Sequence, residues 1–126
     1  MEIEAIKSYL NKYPEITYKG IEWNLNNTEY QKQRVELLDS TEEIQKCIFW
    51  LVEFYFPNKM LVNMHSSYVL KHYVENYFNK YVSNGSFVAA VKIMGYKYRA
   101  FTNDLNIYLS VNKFQFIKYK EKYYRH

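Results

Sequence analysis

SSYVLKHYVENYFNKYVSNGSFVAAVKIMGYKYRAFTNDLNIYLSV, residues 66–111, decides how this chain is read. Leu70, Tyr73, Val74, Tyr77 and Phe78 recur at helical spacing, with Lys71, Glu75 and Asn79 on the outward face. Ser66 or Ser67 can cap that helix, which runs to about Asn79. Tyr81-Val82 leads into a second cap, Ser83-Asn84, and a helix over Gly85–Met94 that Gly95 ends as a left-handed C′ residue. Tyr96–Thr102 and Leu105–Val111 then alternate with period two around the turn pair Asn103-Asp104. Two helices and a hairpin in this order are how a helix-turn-helix with a wing is written in sequence.

The second helix weakens a simple DNA-reading role. Only Asn84, Ser86 and Lys92 could bond a base edge, whereas Phe87, Val88, Ala89, Ala90, Val91, Ile93 and Met94 call for burial. A reading helix presents Arg, Asn or Gln at several positions. This one is expected in the core.

Upstream, Ser40 and Glu43 have the spacing of a capping box. The helix they open carries Ile44, Cys47, Ile48, Leu51, Val52 and Tyr55 and stops at Phe56-Pro57-Asn58, which makes it the expected central core helix. Met60–His65 reads as a linker. Residues 3–13 predict a first helix ended by Pro14, and 15–26 a short hairpin, or a strand and a turn, broken at Gly20. Residues 26–40 are polar and either helical or loop. The tail from Asn112 to His126 interleaves five basic residues and one acidic residue with aromatics, and its pattern does not separate helix from strand.

One domain accommodates all 126 residues. Charge divides it: residues 1–63 carry 7 Lys+Arg and 10 Asp+Glu, a net −3, and residues 64–126 carry 10 against 3, a net +7. Ten of the 15 tyrosines lie in the basic half. An A/T-rich coding sequence accounts for much Lys, Asn, Tyr and Phe overall, but not for where they fall. A basic field of this kind draws polyanions or acidic protein surfaces.

Catalytic chemistry is poorly represented. The three histidines, His65, His72 and His126, form no ligand pattern, and Cys47 stands alone in an apolar run as an expected buried hydrophobe. The three glycines, at 20, 85 and 95, make no phosphate loop. Glu42-Glu43 suits the first turn of a helix, where it complements the dipole. The acidic start Met1-Glu2-Ile3-Glu4 does not resemble a signal peptide, and no apolar run is long enough to span a bilayer, so a soluble cytoplasmic location is expected. No enzyme, cofactor, metal, membrane or small-molecule substrate is expected.

Binding fits better. Lys97, Arg99, Lys113, Lys118, Lys120, Lys122 and Arg125 could contact phosphate or an acidic surface, with Tyr98, Tyr108 and Tyr119 for stacking. Alternation of the hairpin tyrosines also follows from one buried face. Tyr and Arg are, further, the residue types that anchor protein interfaces.

Residues 66–111 resemble a segment of small phage, plasmid and other mobile-element proteins that runs SYxLKHxxE, YxSNGxFxxAxxxxGY and then an Asn-containing hairpin. The matches are Ser67-Tyr68-Val69-Leu70-Lys71-His72 with Glu75, Tyr81-Val82-Ser83-Asn84-Gly85-Ser86-Phe87 with Ala90, Gly95-Tyr96, and Asn106 with Tyr108. The resemblance covers about a third of the chain, and residues 1–60 take no part in it. It implies a non-enzymatic accessory protein, most readily an anti-CRISPR-type inhibitor that binds a host Cas nuclease or its guide complex. Many such inhibitors are acidic DNA mimics, and the basic half departs from that pattern. The alternative is a winged-helix-like DNA-binding regulator. The expected fold is α+β: one small domain with a helical core, a helix-turn-helix-like pair and a wing-like β-hairpin, its partner a host nucleoprotein nuclease or nucleic acid.

Overall fold

In the computed structural model, residues 1–54 and 64–110 are described. The element order is α1 (Ile3–Asn11), β1 (Ile16–Thr17), β2 (Gly20–Ile21), α2 (Thr28–Leu38), α3 (Thr41–Phe54), β3 (Met64–Ser66), α4 (Ser67–Phe78), α5 (Asn84–Met94), β4 (Arg99–Ala100) and β5 (Ile107–Ser110). The fold is α+β, a helical core with two small antiparallel sheets, and α4–α5 followed by β4–β5 gives the expected helix pair and hairpin.

Helix α5 is the centre of the core. Every residue from Gly85 to Val91 is buried, and none of the helix's residues is exposed. Phe87 is fully enclosed and meets Trp50 of α3 edge-on, ring centroids 6.2 Å apart. Ile44, Cys47 and Leu51 of α3 and Leu70 and Val74 of α4 complete the same apolar cluster. The caps are as the sequence predicts: Ser83 Oγ accepts from the Ser86 N–H at the start of α5, Ser66 Oγ from the Val69 N–H at the start of α4, and Gly95 closes α5 at φ 71°. Cys47 is a buried free thiol, pushed well up by its desolvation.

The β1–β2 hairpin crosses the first turn of α5 with almost no clearance. The Gly85 N–H donates to Tyr18 O at 3.0 Å, and a Cβ at Gly85 would stand 1.8 Å from Thr17 O. Gly20 makes the matching approach on the other side, at φ 135°, where a Cβ would meet Leu105 O at 2.1 Å. Gly20 therefore belongs to the strand pair rather than breaking it, with Ile16 opposite Ile21 and Thr17 opposite Gly20. The undecided stretch before α3 is helix α2, capped by Asn27 accepting from the Glu29 N–H. Its Arg34 guanidinium donates to the carbonyls of Leu10, Tyr13 and Ile16, which satisfies the C-terminal end of α1.

Four sequence expectations are corrected. Met64–Ser66, read as part of a linker, is strand β3, and the sheet order is β3-β5-β4, so β5 is central. The wing does not turn at Asn103-Asp104 alone: Arg99 pairs with Tyr108 and Ala100 with Ile107, which leaves residues 101–106 as the loop. Asp104 builds that loop by accepting from the Asn106 N–H and the Tyr108 hydroxyl, at 2.9 and 2.6 Å. Lys71, placed on the outer face of α4 by its spacing, is only 4% exposed. Ser40 and Glu43 form no capping box, because Ser40 Oγ donates back to Glu36 O at 2.7 Å and Glu43 is used elsewhere.

Two substitutions probe this core. Phe87→Ala is expected to cost about 3–5 kcal/mol of unfolding free energy in urea, enough to unfold most of a small domain. Gly85→Ala, which adds one methyl group against a rigid carbonyl, is expected to lower the urea midpoint by an amount equivalent to about 1–3 kcal/mol. An unchanged midpoint in the second variant would show that β1–β2 can be displaced from α5.

Candidate functional site

Of the residues that the sequence nominates for partner binding, Lys97, Tyr98, Arg99 and Tyr108 fall within the described chain, and Lys113, Lys118, Tyr119, Lys120, Lys122 and Arg125 lie outside it. Lys97 and Arg99 are exposed. Arg99 stands directly across from Tyr108 in the sheet, so a cation and an aromatic ring are held side by side. The Tyr108 ring meets Phe101 edge-on at 5.4 Å, and Phe101 is 49% exposed. Tyr98 has a different environment: it packs against the core and its ring lies 5.2 Å from the Lys92 ammonium.

The sequence did not point to Trp23 as part of this surface. Its Nε1–H donates to Asp104 O at 2.9 Å, while its ring stays 45% exposed. Asp104 thus holds Tyr108 by its carboxylate and Trp23 by its backbone, and Leu105 beside it is also exposed. The result is a surface of Trp23, Arg99, Phe101, Leu105 and Tyr108 on a braced loop. Nothing in the spacing of a residue 81 positions upstream announces such a contact.

A second feature is a cleft of about 500 Å³ between the β1–β2 turn, α2 and the starts of α4 and α5. Lys71 lies in its wall. Its Nζ is 3.3 Å from Glu75 Oε2 and approaches the Tyr81 and Tyr68 rings at 4.6 and 5.3 Å. Glu75 also accepts from the Val82 N–H at 3.1 Å and faces His72 Nδ1 at 2.7 Å, so the burial of the ammonium is matched by a carboxylate that is itself anchored. Two acceptors on residues of the cleft wall, Gln33 Oε1 and Asn84 Oδ1, are buried without a hydrogen-bond partner among the described residues. A buried unpaired acceptor costs roughly 1–3 kcal/mol.

Behind the cleft, one carboxylate organises the polar core. Glu43 Oε1 accepts from the Ser83 N–H at 2.8 Å and from Ser86 Oγ at 3.1 Å, and Oε2 accepts from the Tyr18 hydroxyl at 2.9 Å. Among the described residues, no group of three or more His, Cys, Asp or Glu side chains is placed to hold a metal ion, and no helix is long and apolar enough to cross a membrane. Comparison with protein families, with curated proteins and with solved structures finds no match.

The tyrosines give the fold a definite alkaline limit. Burial, then the hydrogen bond to Glu43, pushes the Tyr18 hydroxyl well above its ordinary range. Burial raises Tyr73 and Tyr96, and the Asp104 hydrogen bond raises Tyr108. In the unfolded chain these hydroxyls ionise near pH 10, so above that pH the unfolded state holds fewer protons than the folded one. Stability is full below that value and falls as pH rises toward the folded-state values. The urea midpoint is expected to decline above about pH 10, and less steeply in Tyr18→Phe, which starts lower through loss of the Glu43 bond. Equal slopes in the two proteins would remove Tyr18 from the account.

Proposed function

We propose that this chain acts by binding, as a non-enzymatic mobile-element accessory protein of the anti-CRISPR type that inhibits a host Cas nuclease or its guide complex. The observation that supports a binding role best is the braced surface on the β4–β5 hairpin. Arg99, Phe101, Tyr108 and Trp23 stand together there, exposed or half-buried, on a loop fixed by three bonds to Asp104. Exposed Trp, Tyr and Arg on a rigid scaffold are the residues from which interface hot spots are made, because they bury much surface with little rotamer entropy lost. Lys97 and Arg99 add positive charge at the rim, and the basic residues from Lys113 to Arg125 extend it in sequence. An acidic or nucleic-acid-bearing face suits that charge. The choice of a guide-loaded nuclease rests on the mobile-element resemblance of residues 66–111. A winged-helix regulator would need a helix with a free polar face for the major groove, and α5 has none.

The reading is tested with purified guide-loaded Cas nucleases of several types. Stoichiometric addition of the chain is expected to suppress target cleavage by one of them and to co-migrate with it on gel filtration. The double variant Lys97→Glu, Arg99→Glu should keep its fold by circular dichroism and lose affinity by about 30-fold or more, as expected for two rim or hot-spot charges. Wild-type affinity in that variant would show that the hairpin is merely solvated. A steep, salt-dependent shift of duplex DNA by the chain alone, with no effect on any nuclease, would favour the regulator instead.

A further inference from the structure

The cleft beside Lys71 contains chemistry that the hairpin surface does not use. We propose that it is a nucleobase site selective for guanine. Its volume of about 500 Å³ lies within the range of roughly 300–1,000 Å³ typical of small-ligand clefts. Two amide side chains in its wall have already spent their N–H groups on the protein. Gln33 Nε2 donates to Glu29 Oε1 at 2.8 Å, and Asn84 Nδ2 donates to Lys19 O at 2.9 Å. Each amide is thereby fixed with its oxygen left over, and each oxygen lacks a partner among the described residues. Glu36 adds a carboxylate to the same wall. The groups that would confer specificity are therefore acceptors. The cations are Lys19 and Lys71.

A matching ligand must present neighbouring N–H donors on one edge and acceptors on another, and must be flat enough to lie against tyrosine. Adenine and cytosine each offer one amino group beside a ring acceptor, and uracil one imino N–H between two carbonyls. Guanine alone among the common bases carries an imino N–H next to an amino group, with O6 and N7 on the far edge, which an ammonium binds. Tyr68 and Tyr81, 54% and 62% exposed, offer ring surface for stacking. An N–H-rich cation such as a guanidinium would meet two lysines and only one carboxylate across the lining. Both amide oxygens are shut from water in the unliganded chain, so an outward turn of each amide exchanges an unpaired buried oxygen for a hydrogen bond.

The base could come from a free guanine nucleotide or from an unpaired guanine in a nucleic-acid strand. Titration of the full chain with GMP, AMP, CMP and UMP, and with single-stranded hexamers containing one G or one A, separates these sources. Saturable binding of GMP, or of the G hexamer alone, at least about tenfold tighter than the A counterpart is expected; the first identifies a free nucleotide and the second a strand. Tyr81→Ala, at an exposed position, and Gln33→Leu should each weaken that binding about tenfold. The Lys97→Glu, Arg99→Glu variant should bind as the wild type does, which separates this site from the hairpin surface. The proposal is overturned by absence of saturable binding to every nucleotide and hexamer, by equal affinity for all four bases, by a folded Tyr81→Ala protein with unchanged affinity, or by loss of binding in the hairpin variant.

Discussion

The carboxylate of Glu43 is the constraint on which the rest of this structure depends. It comes from the first turn of α3 and is spent on the N-terminal end of α5 and on Tyr18 from the β1–β2 hairpin. A helix N-terminus offers unpaired N–H groups and a partial positive charge, so a carboxylate placed there satisfies a donor and complements the dipole at once. Ser83 and Ser86 hold the geometry by bonding each other as well as Glu43. Three elements distant in sequence are thus fixed at one point, and that point is the deepest helix of the core.

Such a junction needs close backbone approach, which is why Gly85 follows the cap. With the Gly85 N–H on Tyr18 O, the hairpin lies directly on the helix start, where any side chain would collide with Thr17 O. The SNG triplet at 83–85 is therefore a structural device: a cap, an amide that ties Lys19 and Leu105, and a residue without a side chain. Because α5 is enclosed on every side, partner contacts are left to what surrounds it. This reassigns the meaning of the helix-turn-helix order, in which the second helix supports the hairpin rather than reading a groove.

What could be read from the sequence was local. The caps at Ser66 and Ser83, the stop at Gly95 and the apolar length of α5 each depend on a few adjacent residues, and all appear as expected. What could not be read was set by distant partners. Glu43 has perfect spacing for a capping box, yet Ser83 and Tyr18 offer it better-buried donors, and Ser40 turns back to Glu36. Lys71 has the spacing of a solvent-facing residue, but Tyr81, beyond the end of its own helix, covers it and Glu75 neutralises it. The two-residue strands β1, β2 and β4 are too short for a period to declare itself. Trp23 and Gln33 gave no functional signal, since each acquires its role only when α2 or the 101–106 loop is in place.

The same loop joins the hairpin surface to the cleft. Leu105 O accepts from the Ile21 N–H at 2.9 Å and from Asn84 Nδ2 at 3.4 Å, while Asp104 one residue earlier holds Trp23 and Tyr108. Asn106 then reaches Ser67, whose hydroxyl accepts from the Ile107 N–H and so pins the start of α4 to the central strand. A loop held at this many points has few conformations to lose when a partner docks, so little of the interaction free energy is spent on ordering it. It also means that a displacement of Leu105 on one side is felt by Asn84 on the other. The hairpin surface and the cleft are separate in chemistry, but they share a wall that can transmit occupancy from one to the other.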